Sequence, residues 1–171
     1  MPIVAGVDPG KKGAITLIDS DALSIYIFDM PVIAIGKSGK RSEVDAQELA
    51  NILDGFILPD ILVAEDVWSS PNDGHVGAFS FGDSVGVIRG VTAALGIQFQ
   101  RARPQVWKAS MKVTADKKSS RDRAALLVPS AAKMYSRAKD DGRAESTLIG
   151  LYGTFNNGVK ITGPLQLMES E

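Results

Sequence analysis

Ile3-Val4-Ala5-Gly6-Val7-Asp8-Pro9-Gly10 decides how this chain is read. An apolar run of strand type ends in a carboxylate, and a Pro-Gly turn follows at once. Lys11, Lys12 and Gly13 then lead into a second apolar run, Ala14 to Ile18. Two strands joined so tightly predict the start of an antiparallel hairpin, with Asp8 at the open end of a buried strand. A lone Asp in such a place is an ordinary turn or capping residue. Three more carboxylates in comparable settings change that reading.

The second carboxylate follows the same logic. Ile61-Leu62-Val63-Ala64 is a short continuous apolar run between turn signals, and it ends in Glu65-Asp66. Continuous apolarity suits a strand buried on both faces in a parallel arrangement. If it lies parallel to the first strand, Asp8 and Glu65 are neighbours at the C-terminal edge of the sheet, where α/β proteins gather their ligands. The other two acids come from a late helix, predicted over 141–155. Asp141 and Glu145 are four apart and so share a face one turn from each other. Like charges at that spacing repel, and a cation between them removes the conflict.

Around these acids the chain reads as alternating strands and helices. Strands are predicted at 3–7, 13–18, 23–28, 61–64 and 97–100, with Asp19-Ser20-Asp21 as the second turn of a meander. A helix over 45–57 carries Leu49, Ile52, Leu53 and Phe56 on one face. A longer one over 76–95 ends at Gly96 and places Gly82, Gly86 and Gly90 along one side, open to close packing by the sheet or by a second copy. Pro104 opens a helix containing Trp107 and Lys108, and Ser119 is expected to cap another that runs to Val128, before Pro129. Residues 30–43 read as a loop whose turn, Gly36-Lys37-Ser38-Gly39-Lys40-Arg41, is basic: a solvated surface segment, or a phosphate contact. Residues 67–74 form a second loop, with Trp68, Pro71 and Asn72. Residues 159–171 read as a tail without a fold signal. The expectation is an α/β domain over 1–158, with a five-stranded mixed sheet and helices on both faces.

Composition limits the chemistry. The 171 residues contain no cysteine and one histidine, so disulfides are absent and a zinc site lacks its usual donors. A metal here is held by oxygen, which points to magnesium or manganese. No apolar run approaches the roughly 20 residues that span a bilayer, and the chain opens on a strand rather than a signal peptide, so a cytoplasmic protein without membrane contact is expected. Net charge is −1, but it is unevenly spread. Residues 101–143 hold twelve Lys and Arg against four acids, while the first hundred residues hold six against thirteen. A basic segment beside an acidic pocket suits phosphate binding next to a metal site, and a solvated helical face is the alternative.

Four acids in one pocket cannot all stay ionised without cations. Two divalent ions about 4 Å apart clamp the attacking and leaving oxygens of a phosphodiester, and make a dedicated histidine base unnecessary. Asp8, on the central strand, is the natural bridge between them. Arg101, Arg103, Lys108, Lys112, Lys117, Lys118 and Arg121 are candidates to hold the DNA backbone. Trp68, beside the acidic strand end, is either a packed side chain or a stacking platform for a base.

Gly6-Val7-Asp8-Pro9-Gly10, Ala64-Glu65-Asp66-Val67 and Asp141-Gly142-Arg143-Ala144-Glu145 together resemble the motifs of RuvC-type Holliday junction resolvases, most of all the short phage and prophage versions. The resemblance spans residues 3–155. It implies an RNase H-like fold and a crossover junction endodeoxyribonuclease of DNA recombination and repair. It also implies two Mg2+ or Mn2+ ions per active site, a four-way DNA junction as substrate and a homodimer built on the glycine-rich helix. By the same resemblance Asp8, Glu65, Asp141 and Glu145 are the metal-binding acids, with Asp140 an alternative to Asp141. Bacterial members space their last two acids three apart and end on Asp, whereas here they are four apart and end on Glu. Trp68 matches an aromatic that stacks at the crossover, Lys108 a basic residue of the DNA groove, and Lys118, or Lys117 in its place, a catalytic lysine near the scissile phosphate. Related nucleases of flaps, forks or RNA, and a DNA-structure binding protein without catalysis, are the alternative readings. An actin-like ATPase would need a second copy of the first hairpin, which is absent.

Overall fold

The computed structural model describes residues 1–37, 39, 41–68 and 74–169. Ser38 and Lys40 of the basic turn, and Pro71 and Asn72 of the loop after Glu65, lie outside them. The chain runs β1 (Val4–Asp8), β2 (Ala14–Asp19), β3 (Ser24–Asp29), β4 (Val32–Ile35), β5 (Arg41–Val44), α1 (Ala46–Gly55), β6 (Ile61–Glu65), α2 (His75–Ala94), β7 (Gln98–Ala102), α3 (Pro104–Met111), α4 (Lys117–Leu127), α5 (Asp141–Asn156) and β8 (Gln166–Leu167). Two 3₁₀ segments, Pro129–Tyr135 and Ala138–Asp140, join α4 to α5.

The main sheet has six strands in the order β7-β6-β1-β2-β3-β8, so β1 is central. β1 pairs antiparallel with β2 and parallel with β6, the last pair being Val7 with Ala64. Strand alternation sorts the side chains into two cores. Val4, Ile18, Ile25, Ile61 and Val63 pack on one face with Trp107, Ala124, Leu148 and Ile149 from α3, α4 and α5. Ala5, Val7, Ile15, Leu17 and Leu62 pack on the other with Leu49 and Leu53 of α1 and Ile88 of α2. By the same alternation Asp8 and Glu65 fall on the α5 face of the sheet.

α5 lies unusually close to β1. A Cβ on Gly6 would stand 2.2 Å from both the Gly150 nitrogen and the Ser146 carbonyl oxygen. Buried hydroxyls set the helix along its axis. Thr16 Oγ1 is 2.8 Å from Ser146 Oγ and 3.2 Å from Thr147 Oγ1, and Tyr135 Oη is 3.1 Å from Thr147 Oγ1. Each such bond contributes about 1 kcal/mol net. Burial also pushes the Tyr135 phenol up to about 12, so it stays protonated as part of this cluster.

Four sequence expectations change. The sheet has six strands rather than five, because β8 from the segment read as a tail pairs parallel with β3. Leu165 beside it is buried, and Ser130 Oγ both donates to the Leu165 carbonyl and accepts from Leu167 N–H. A two-residue strand has no period to detect. Residues 30–43, read as a loop, hold β4 and all but the last residue of β5, a hairpin whose exposed Val32 and Ile33 break the apolar-inside pattern. Asp116, not Ser119, caps α4, accepting from Lys118 N–H at 3.1 Å, while Ser119 Oγ accepts from Thr114 N–H. Asp and Ser are equally good caps, so local sequence did not separate them. Finally, α2 begins at His75, one residue earlier than expected.

Candidate active site

Asp8 at the end of β1, Glu65 at the end of β6 and Glu145 in the second turn of α5 form an acidic cluster. Gly142 makes this possible. A Cβ there would lie 2.6 Å from the Lys12 carbonyl oxygen and 2.9 Å from Gly13 Cα, so only glycine lets the start of α5 reach the β1–β2 turn. Burial, followed by the charges of Glu145 and Glu65, pushes the Asp8 carboxyl well above the usual carboxylate range, and Lys117 and Lys108 offset this only in part. Glu65 is also raised, first by burial, although Trp107 Nε1 donates to its Oε1 at 3.0 Å and opposes the shift.

Cations from α3 and α4 complete the cluster. Lys108 Nζ lies 3.6 Å from Glu145 Oε1. Asp141 is held between Arg121, which hydrogen-bonds its Oδ1, and Lys117, 3.6 Å from its Oδ2. Asp8, Lys12, Lys117, Asp141 and Glu145 line an open cavity of about 910 Å³. Asp140 sits in a different environment. It is 2% exposed and accepts from the Arg137 backbone N–H at 2.9 Å and from its guanidinium at 2.8 Å. The Arg137 hydrogen bonds hold its carboxyl below the usual range. Asp140 is thus committed to closing the turn before α5, while Asp141 faces the cluster.

The other candidates spread outward from this point. Trp68 is 83% exposed, beside a shallow cavity shared with Arg103, Pro104 and Gln105. Arg101 pairs with Asp66 at 3.1 Å and lies 5.7 Å from the Phe99 ring centroid. Lys118 is paired with Asp122 at 2.6 Å, and lines a separate cup with Lys112 and Arg123. The structure thus turns Lys117, not Lys118, toward the carboxylates. Two roles were not legible in the sequence. Trp107, 0% exposed, positions Glu65 from 42 residues away, and Arg121 holds Asp141. One signal was available for the first: an aromatic with a polar edge inside a short helix.

The donors are all oxygen, crowded and partly desolvated, a chemistry that suits magnesium or manganese. Among the described residues no three Asp, Glu or His side chains converge tightly enough to hold one ion. Lys108, Lys117 and Arg121 instead compensate the charge of Glu145 and Asp141.

No protein-family model matches the chain, and no curated protein matches it in sequence. Solved structures do match. RuvC of Thermus thermophilus in complex with a Holliday junction substrate is 16% identical at a TM-score of 0.64, over 92% of this chain and 96% of that one. The fold is that of RuvC. A second T. thermophilus RuvC structure aligns at a TM-score of 0.56 with 16% identity, over 91% of this chain and 95% of that one. The yeast mitochondrial Holliday junction resolvase Ydc2 aligns at 0.52 with 14% identity, over 87% of this chain and 76% of that one. In this RuvC fold the acidic cluster lies where the central strand, its parallel neighbour and the last long helix meet.

Proposed function

We propose that the chain is a metal-dependent endonuclease that resolves four-way DNA junctions by paired incisions. The observation that carries this is the meeting of Asp8, Glu65 and Glu145 beside Asp141 at one sheet edge, with lysines from a basic segment facing them, in the fold of RuvC. Asp8, Glu65, Asp141 and Glu145 are the residues that would hold divalent cations here. When bound, the cations activate water and neutralise charge developing on the phosphate. Lys108 and Lys117 leave their carboxylate partners to bind the scissile phosphate. Arg101, Arg103, Lys112 and Lys118 contact the backbone farther along, and Trp68 stacks on a base at the crossover.

Paired cuts need two active sites, and a four-way junction has two-fold symmetry, so we assign a homodimer built on α2. Val76, Phe79, Gly82, Asp83, Gly86, Arg89, Gly90 and Ala93 form one exposed face of that helix. This face is self-complementary in antiparallel packing about Gly86. Asp83 and Arg89 lie three residues to either side, Gly82 and Gly90 four, and Phe79 and Ala93 seven. A two-fold axis through Gly86 therefore sets Asp83 of each copy against Arg89 of the other. Arg89→Glu is expected to weaken self-association at least tenfold, and Asp83→Arg added to it to restore the dimer, as read by sedimentation velocity. Equal association of all three proteins would remove this register.

The function itself is tested on a labelled synthetic four-way junction, with linear duplex and flap controls, in magnesium, manganese or EDTA. Symmetric paired nicks on the junction, lost in EDTA, are expected. Equal cleavage of flaps would make the chain a general structure-selective nuclease. No cleavage of any substrate with either metal would overturn the catalytic reading.

A further inference from the structure

The hairpin β4–β5 is not part of the main sheet and takes no part in the acidic cluster, yet it is anchored beside it. Lys11 Nζ donates to the Ser42 carbonyl oxygen at 3.0 Å, tying the turn that follows Asp8 to the second strand of the hairpin. Val32 at the base of the hairpin lines the same cavity as Asp8, Lys11 and Lys12. Lys11, Lys12, Lys37 and Arg41 are all exposed, and none forms an ion pair among the described residues. Some exposed basic groups elsewhere are paired, as in Lys118 with Asp122, whereas these four lie on the hairpin and the turn tied to it. Glu43 is the single acid on the two strands. Val32 and Ile33 are each left 48% exposed by the domain.

We infer that this hairpin and the β1–β2 turn form a second DNA-contact surface, which holds a duplex arm of branched DNA on the side of the cut away from α3 and α4. The inference rests on the nuclease reading above and deepens it. Sheet order supplies the geometry. From β1, with Asp8 at its end, β6 and β7 lead to α3 and the segment of Lys108 and Lys112. On the other side β2 and β3 lead to the hairpin. Cations therefore flank the carboxylates on both sides. A two-stranded ribbon also has the width to enter a duplex groove, where lysine and arginine meet phosphates and exposed aliphatic side chains meet base edges or sugars. A linear duplex can satisfy one flank, whereas a branch point carries duplex arms to both.

The test compares the full chain with Lys37→Gln/Arg41→Gln, which leaves every residue of the acidic cluster in place. Binding of a labelled four-way junction and of a linear duplex is measured by fluorescence anisotropy in EDTA across a range of salt. Junction affinity is expected to fall at least tenfold near 0.1 M salt, and the slope of log K against log salt to shrink by about 2, one unit per lost phosphate contact. Linear duplex binding is expected to change less than about twofold, and Lys37→Arg/Arg41→Lys to restore junction affinity. An unchanged junction slope overturns the inference, as does an equal loss on both DNAs, which would mark the hairpin as nonspecific charge. Failure of the unaltered protein to bind either DNA would overturn the nuclease reading as well, so the two failures are distinct.

Discussion

Asp8→Asn is expected to abolish junction cleavage, by about 10³-fold or more, and at the same time to raise the thermal midpoint of the metal-free protein. Both effects have one cause. Asp8 is held at the end of a rigid buried strand beside Glu65 and Glu145, where burial and two like charges disfavour its ionised form. Such crowding is costly without a compensating cation. The amide keeps the volume and removes the charge. A gain of about 1 kcal/mol would move the midpoint by about 2–4 °C in a chain of this size.

The sign of the pH dependence follows from the raised value. Folded Asp8 keeps its proton to higher pH than the unfolded chain does, so the folded state binds more protons within that window. Stability of the metal-free protein therefore falls as pH rises from the unfolded carboxylate value, about 4, through the raised folded value. Glu65 acts in the same direction, and Asp140, whose value is lowered, acts in the opposite one. The midpoint difference between Asp8→Asn and the unaltered protein should grow between pH 5 and pH 8 in EDTA. Magnesium should raise the midpoint of the unaltered protein alone. Junction binding by the variant should be retained or tightened, because a negative charge facing phosphate is gone. Loss of binding together with cleavage, or a variant less stable than the parent at pH 8, would sink the metal-site argument.

Gly6→Ala is expected to cost about 3 kcal/mol or more, the upper end of overpacking, because both obstructing atoms belong to backbone. The new methyl would lie 2.2 Å from the Gly150 nitrogen and the Ser146 carbonyl oxygen, and 2.5 Å from Gly150 Cα. No rotamer relieves such a contact, so α5 must lift from the sheet. Ser146 adjoins Glu145, so the lift also displaces an acid of the cluster. Urea unfolding should therefore show a lower midpoint, and whatever protein remains folded should cut junctions more slowly. A variant within 1 kcal/mol of the parent would mean that α5 and β1 do not approach as described.

Much of the architecture was legible because it is written in short-range patterns. The apolar run into Asp8 and the matching run into Glu65 carry their own strand periodicity. Their parallel pairing, a condition in the sequence reading, is what the structure shows. The spacing of Asp141 and Glu145 puts them on one helical face whatever surrounds them. Where local signals were weak or tied, tertiary structure decided. The hairpin β4–β5 hides in a basic segment because its first strand is exposed. Asp116 and Ser119 are equivalent caps until one of them meets the start of α4.

The site shows the same division. The residue types of the cluster, and the strand ends and helix turn that carry them, were determined by the sequence itself, because each depends on neighbours only a few positions away. The choice between Asp140 and Asp141, and between Lys117 and Lys118, belonged to the tertiary structure. Adjacent identical residues have the same propensities. Only Arg137, Arg121 and Asp122, delivered through turns and helix faces, separate the carboxylate that closes a turn from the one held by α4, and the lysine beside the acids from the one paired away from them.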